Sequence, residues 1–70
     1  MNSIAQKFAE EMRRNRERRG WSQETLAEKI GTRKQVVSRY ELGQREPKVS
    51  TASEIARELG LRLSDMIGER

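Results

Sequence analysis

Residues 23–42 read QETLAEKIGTRKQVVSRYEL, and this stretch decides the fold of the chain. On both sides of Gly31, apolar residues recur at three- and four-residue spacing, which is the period of one face of an α-helix. Gly31 lies where the pattern breaks, and a glycine adopts the positive φ that ends a helix and turns the chain sharply. The stretch therefore predicts two short helices joined by one or two residues, which is the helix-turn-helix arrangement.

The apolar residues of this stretch are explained by the packing of its two helices. Leu26, Ile30, Val37 and Tyr40 fill the space between the helices and the rest of the core. Ala27 is small because the second helix crosses close to it. A generic helical hairpin is the alternative, but the pattern is dense and helices are predicted on both of its flanks.

Working outward, the same periodicity predicts five helices, near residues 3–19, 23–30, 33–42, 49–59 and 63–67. Strand signals are almost absent, and no repeat or linker divides residues 1–70. The predicted fold is therefore all-α, a compact five-helix bundle forming a single domain. The inward face of helix 4 is predicted to comprise Val49, Ala52, Ile55, Ala56 and Leu59.

Helix starts are less uniform than helix ends. Ser22 is a good N-cap for helix 2, and Thr32 with Gln35 fits a capping box at the start of helix 3.

Composition excludes several kinds of site. The 70 residues contain no Cys and no His, which removes disulfides, thiol nucleophiles, the usual zinc ligands and the commonest general base. The remaining carboxylates that could serve an enzyme lie on exposed helix faces without a pocket, so we expect no enzymatic activity. No metal, cofactor or small-molecule ligand is expected. These carboxylates are Glu10, Glu11, Glu24 and Glu28.

Charge and hydropathy indicate the partner and the compartment. The net charge is +4, and residues 29–48 alone carry six cations against two anions. A concentrated positive charge is typical of a surface that meets a polyanion, although a solvated surface is the alternative. No apolar run approaches the roughly 18 residues that span a bilayer. The expectation is a cytoplasmic protein without membrane contact.

Motif residues recur along nearly the whole chain, and together they resemble the phage repressor and Cro-like family of helix-turn-helix proteins, also called the XRE family. The resemblance implies a lambda-repressor-like DNA-binding domain of five helices. The residues that carry it are Arg13, Arg16, Gly20-Trp21-Ser22-Gln23, Leu26-Ala27, Ile30-Gly31, Val37-Ser38-Arg39, Glu41, Gly43, Pro47, Ile55-Ala56, Leu59-Gly60 and Leu63.

In this geometry helix 3 lies in the major groove of DNA and its outward face reads bases. Arg and Lys suit the paired acceptors of guanine, and Gln suits adenine. For Arg33 and Lys34 the alternative is phosphate contact, and for Gln35 it is the capping box. For Ser38 the alternative is a side chain that is only small enough for close approach. The predicted base-reading residues are Arg33, Lys34, Gln35, Ser38 and Arg39.

Phosphate contacts are expected from segments that flank helix 3. The resemblance implies that Gln23 contacts the DNA backbone, next to the N-terminal amides of helix 2. For Arg45 and Lys48, a solvated loop is the alternative. Leu42 stands where the family often has an Asn that contacts phosphate, and a leucine side chain has no donor for that contact. Lys48 and Arg62 stand where the family often has a Ser or Thr that caps helices 4 and 5, so we expect those two helices to fray at their starts. The predicted backbone-contact residues are Ser22, Gln23, Gln44, Arg45 and Lys48.

Glu41 follows Val37 by four residues and so lies on or near the inward face of helix 3, where a carboxylate needs a cation. The resemblance pairs it with Arg16, late in helix 1. We interpret the pair as structural, fixing helix 3 to helix 1. The other cations of helix 1 are interpreted as a solvated face.

The C-terminal end is predicted to form a dimer interface. Leu61, Leu63, Met66 and Ile67 are more apolar residues than one short terminal helix needs, although closing the core is the alternative. A dimer couples two half-sites of double-stranded DNA about one helical turn apart. We therefore expect a transcription regulator, most simply a repressor binding a palindromic operator as a homodimer. The alternatives are the DNA-binding antitoxin of a toxin–antitoxin pair, with a protein partner, and a restriction–modification controller.

Overall fold

Five α-helices make up the fold in the computed structural model, which describes residues 3–68. Within that range no strand occurs, and the all-α prediction is confirmed. The helices are α1 (Ile4–Arg18), α2 (Gln23–Lys29), α3 (Lys34–Glu41), α4 (Val49–Glu58) and α5 (Leu63–Ile67).

Side-chain caps define the starts of α1 and α2. The Ser3 hydroxyl accepts from the Gln6 backbone N–H at 3.1 Å, and the Gln6 amide oxygen accepts from the Ser3 N–H at 3.0 Å. Ser22 caps α2 as predicted, accepting from the Thr25 N–H at 3.0 Å. Each satisfied amide removes one of the unpaired donors that every helix start presents.

The predicted capping box at the start of α3 is wrong. The Thr32 N–H donates to the Ala27 carbonyl at 2.8 Å, so Thr32 closes the end of α2 instead of opening α3. Gly31 makes this closure possible with a φ of +72°. The N-cap is Arg33, and no side chain caps the helix. Gln35 therefore has no capping role.

The predicted weak caps of α4 and α5 have different outcomes. Lys48 is the N-cap of α4 and makes no side-chain capping bond. Arg62 occupies the same position in α5, but its backbone N–H donates to the Asp65 carboxylate at 2.9 Å. The start of α5 is thus partly satisfied from within its own first turn.

The core lies between α1, α2–α3 and α4–α5, with α2 packed mainly on α3, and α1 packed on α5 and α3. Val49 was expected to face inward but is 73% exposed, because it is the first residue of α4 and the buried side of that helix begins at Ala52. The core cluster consists of Phe8, Met12, Leu26, Ala27, Val37, Tyr40, Ala52, Ile55, Ala56, Leu59 and Met66.

Met66 corrects the prediction for the C-terminal end. Its side chain is completely buried, so it closes the core and does not belong to a dimer surface. Leu61, Leu63 and Ile67 are only partly buried and pack against the core cluster. Between residues 3 and 68, no helix has the length and apolar character that crossing a bilayer requires.

Candidate nucleic-acid interface

α3 has one buried side and one exposed side. Val37 and Tyr40 point into the core, and Val36 packs against it. The opposite side carries long polar and cationic side chains that lie in solvent and are not used to hold the fold. The exposed residues of α3 and its N-cap among the predicted base readers are Arg33, Lys34, Gln35 and Arg39.

Ser38 lies in a different environment from the other predicted base readers. It is half-buried and lines a depression of about 250 Å³ that Gln23 of α2 and Arg13 of α1 also line. Leu42, at the C-terminal end of α3, borders the same depression and is 64% exposed. The structure thus brings Ser38, a predicted base reader, together with Gln23, a predicted backbone contact. Both residues lie on one continuous surface.

The loop after α3 is tied to the end of that helix. The backbone N–H groups of Gln44 and Arg45 both donate to the Arg39 carbonyl, at 2.9 and 3.3 Å. The guanidinium carbon of Arg45 lies 5.9 Å from the centroid of the Tyr40 ring, within the range of a cation–π contact. Gln44 and Arg45 are therefore held beside α3, while Lys48 follows at the start of α4.

Five exposed cations without carboxylate partners lie between residues 33 and 48, on α3, its N-cap and the loop that follows it. On α1, Lys7 and Arg14 both pair with Glu11, and Arg13 pairs with Glu17. Within residues 3–68, no carboxylate lies within 4.0 Å of the exposed cations on α3 and the loop that follows it. Such unpaired cations produce a positive potential that attracts a polyanion. They are Arg33, Lys34, Arg39, Arg45 and Lys48.

A buried ion pair connects this surface to α1. Arg16 donates from Nε to Glu41 Oε2 at 2.7 Å and from Nη2 to Glu41 Oε1 at 3.1 Å. Its third nitrogen, Nη1, donates to the Trp21 carbonyl at 2.7 Å. The hydrogen bonds to Glu41 raise the pKa of Arg16, and they outweigh the lowering effect of burial. One guanidinium thus joins α1, the α1–α2 turn and the end of α3.

Gln23 also belongs to this network, which the sequence did not predict. Its amide nitrogen Nε2 donates to Glu41 Oε1 at 3.0 Å. Helical spacing placed Glu41 inward and so called for a cation, but it could not show that a second donor from α2 reaches the same carboxylate. The exposure of Leu42 was likewise not apparent from the apolar character of the residue.

Comparison with known proteins agrees with this geometry. A family model described as Helix-turn-helix (HTH_3) matches residues 12–66. Multiprotein-bridging factor 1 of Schizosaccharomyces pombe is 31% identical over 62 residues, which cover 89% of this chain and 42% of that protein. The chain therefore spans less than half the length of this curated relative.

Two solved structures illustrate how the same fold occurs in different proteins. The hypothetical transcription factor NHTF from Neisseria has a TM-score of 0.87 and 29% identity, over 93% of this chain and 75% of that one. Hydroxypropylphosphonic acid epoxidase from S. wedmorenis has a TM-score of 0.81 and 25% identity, over 89% of this chain but only 33% of the enzyme. The likeness to the epoxidase is thus confined to one third of it.

Proposed function

The chain belongs to the XRE-type helix-turn-helix family of DNA-binding regulators, and from that membership we propose that it is a repressor that binds a palindromic operator as a homodimer. The observation that supports DNA contact through α3 is the row of five exposed cations without carboxylate partners, described above. Phosphate neutralisation by such cations dominates affinity for DNA, and groups on the reading helix add sequence preference.

The exposure and position of the side chains support the following proposed roles. Exposed Lys34, Gln35 and Arg39 project from α3 and read base edges. Arg33 adds a base contact from the N-cap of α3, and half-buried Ser38 contacts a base where α3 comes close to the DNA. The phosphate contacts flank α3 on both sides, at the start of α2 and along the loop. They come from Ser22, Gln23, Gln44, Arg45 and Lys48.

Selection of bound sequences from a random DNA pool tests the proposal directly. We expect enrichment of a two-fold symmetric site with half-site centres about 10–10.5 base pairs apart. A pool in which no sequence is enriched would exclude a sequence-specific operator. Enrichment of a single half-site would retain DNA reading but reject the homodimer.

A matched pair of arginine variants separates base reading from general attraction. Arg39→Ala removes an exposed cation from α3, and Arg57→Ala removes one from the outer side of α4. We expect Arg39→Ala to weaken operator binding by about 1–3 kcal/mol and to relax the preference at one base position. Arg57→Ala should leave the selected sequence unchanged. Equal effects of both variants would show that Arg39 contributes only charge.

The homodimer is proposed to form through apolar residues left at the surface beside α5. Partly buried Leu63 and Ile67 line a groove of about 150 Å³, together with Ile4 and Val49, which are 60% and 73% exposed. Because Val49 is so exposed, Val49→Asp should leave thermal unfolding almost unchanged and raise the dimer dissociation constant in sedimentation equilibrium. An unchanged dissociation constant would place the dimer contact elsewhere.

A further inference from the structure

Gln23 is the first residue of α2, and its side chain is held by α3. Its Nε2 donates to Glu41 Oε1 at 3.0 Å, and the same carboxylate accepts two hydrogen bonds from Arg16. An ionised carboxylate only accepts hydrogen bonds, so the nitrogen of the Gln23 amide, and not its oxygen, must face Glu41. The orientation of the amide is therefore fixed by its chemistry.

One N–H of that amide remains for another acceptor. Nε2 carries two N–H groups, which diverge in the plane of the amide, and the bond to Glu41 uses one of them. Among residues 3–68, this is the one hydrogen bond that the Gln23 side chain makes. Gln23 is half-buried and borders the depression that Ser38 also lines. The amide that carries the second N–H thus lies at the edge of the surface that is proposed to face DNA.

From this geometry we infer that Glu41 is a positioning residue for binding of the DNA backbone, holding the Gln23 amide so that its second N–H donates to a phosphate oxygen. The inference rests on the proposed function and assigns Glu41 a role beyond fixing α3 to α1. Arg16 completes the arrangement, because its bidentate contact neutralises a carboxylate that would otherwise repel the phosphate.

The physical advantage lies in order and orientation. A glutamine loses considerable rotamer freedom when a ligand immobilises it, and a side chain that is ordered beforehand avoids much of that loss at the moment of binding. A flipped amide would turn its carbonyl oxygen toward the phosphate, where no hydrogen bond forms. Glu41 prevents that flip.

A double-mutant cycle on operator affinity tests the inference. One arm is Gln23→Met, which removes the amide but leaves Arg16 paired with Glu41. The other arm is Arg16→Met with Glu41→Leu, which removes the acceptor of the Gln23 amide and leaves the net charge unchanged. The third protein combines both changes. All four proteins are measured against the selected operator at several salt concentrations, with unfolding curves recorded alongside.

We expect Gln23→Met to weaken binding by about tenfold per half-site, as for the loss of one hydrogen bond to a charged group. The slope of log affinity against log salt should not change, because a neutral amide releases no counterions. Replacing Arg16 and Glu41 should weaken binding by a similar factor in the wild-type background. It should have almost no further effect once Gln23→Met is present.

Equal losses in both backgrounds would overturn the inference, since Arg16 and Glu41 would then act only through the packing of α3. If the wild-type chain enriches no sequence, the proposed function itself is wrong, so the two failures can be told apart.

If the apolar replacement does not fold, NMR relaxation of the side-chain amides in the wild-type protein tests the inference instead. We expect the Gln23 side-chain amide to be ordered, whereas exposed Gln44 serves as the mobile reference. Equal mobility of the two amides would refute positioning by Glu41.

Discussion

Replacing Arg16 with Met tests how much of the stability depends on the ion pair between α1 and α3. The side chains of Arg16 and Glu41 are 10% and 3% exposed, so the pair is buried and not a surface contact. After Arg16→Met, the Glu41 carboxylate stays buried with Gln23 Nε2 as its remaining donor, and the Trp21 carbonyl loses its bond to Nη1. Removing one partner of a buried pair costs about 3–5 kcal/mol.

The consequence is severe because the domain is small. A single core in a chain of 70 residues supplies roughly 3–5 kcal/mol of net stability. The two ranges coincide, so the net stability of Arg16→Met should be near zero, with roughly half of the molecules unfolded at 25 °C. Urea unfolding followed by far-ultraviolet circular dichroism, with stabilising salt or osmolyte added to recover a baseline, measures the change.

A paired variant distinguishes the burial of a lone carboxylate from the loss of a favourable attraction. Arg16→Met combined with Glu41→Leu leaves no buried charge, and apolar replacement of a buried ion pair is often neutral or stabilising, by about 1–4 kcal/mol. We therefore expect the double variant to be folded and clearly more stable than the single variant. A loss below about 1 kcal/mol for Arg16→Met alone would contradict this reasoning, because that is the range of solvated surface pairs.

Four other perturbations have expected outcomes of their own. Gln35→Ala should relax the preference at one base position and leave the unfolding free energy nearly unchanged, because Gln35 caps nothing; a loss of stability without a change in specificity would contradict this assignment. Lys48→Ser supplies an acceptor at the uncapped start of α4 and should raise the unfolding free energy by about 0.5–1 kcal/mol in urea titrations. Gly31→Ala meets no neighbouring atom within 4 Å, so its thermal destabilisation should reflect only the positive φ, about 1–2 kcal/mol. Because the pKa of Arg16 is raised in the folded state, its contribution to stability is complete below the unfolded pKa and is lost only as the pH rises through the folded pKa. The difference in unfolding free energy between wild type and Arg16→Met should therefore be constant from about pH 6 to 9.

Local patterns were sufficient to predict the helices and most of the core. Periodicity and Gly31 together set α2 and α3, since a helix of this kind ends where a residue can adopt positive φ. The apolar spacing in α4 likewise identified the side chains that α4 contributes to the core, apart from Val49. The prediction for Val49 is wrong because Val49 is the first residue of α4, and the buried side of that helix begins at Ala52. Helical periodicity alone does not show where burial begins.

The candidate interface was predictable only in part. The sequence placed Lys34, Gln35 and Arg39 on the outward side of α3, because their offset from Val37 and Tyr40 is fixed by helical geometry. It could not show whether the residues at the turn form a Thr32–Gln35 capping box at the start of α3 or instead close the end of α2. That choice depended on Thr32, whose N–H closes α2 by pairing with Ala27 at 2.8 Å.

The sequence by itself determined α3 and its inward and outward sides, because both follow from a repeat that is local to the chain. The tertiary structure alone decided that Met66 is buried and that Gln23 and Arg16 share Glu41. The contacts with Glu41 join residues 18 and 25 positions apart, and the burial of Met66 depends on the packing of α5 on α1, still farther away in the sequence. No local pattern shows which donors meet at one carboxylate. Residues 23–42 thus specify the helices of the motif, and packing against α1 fixes the surface that they present.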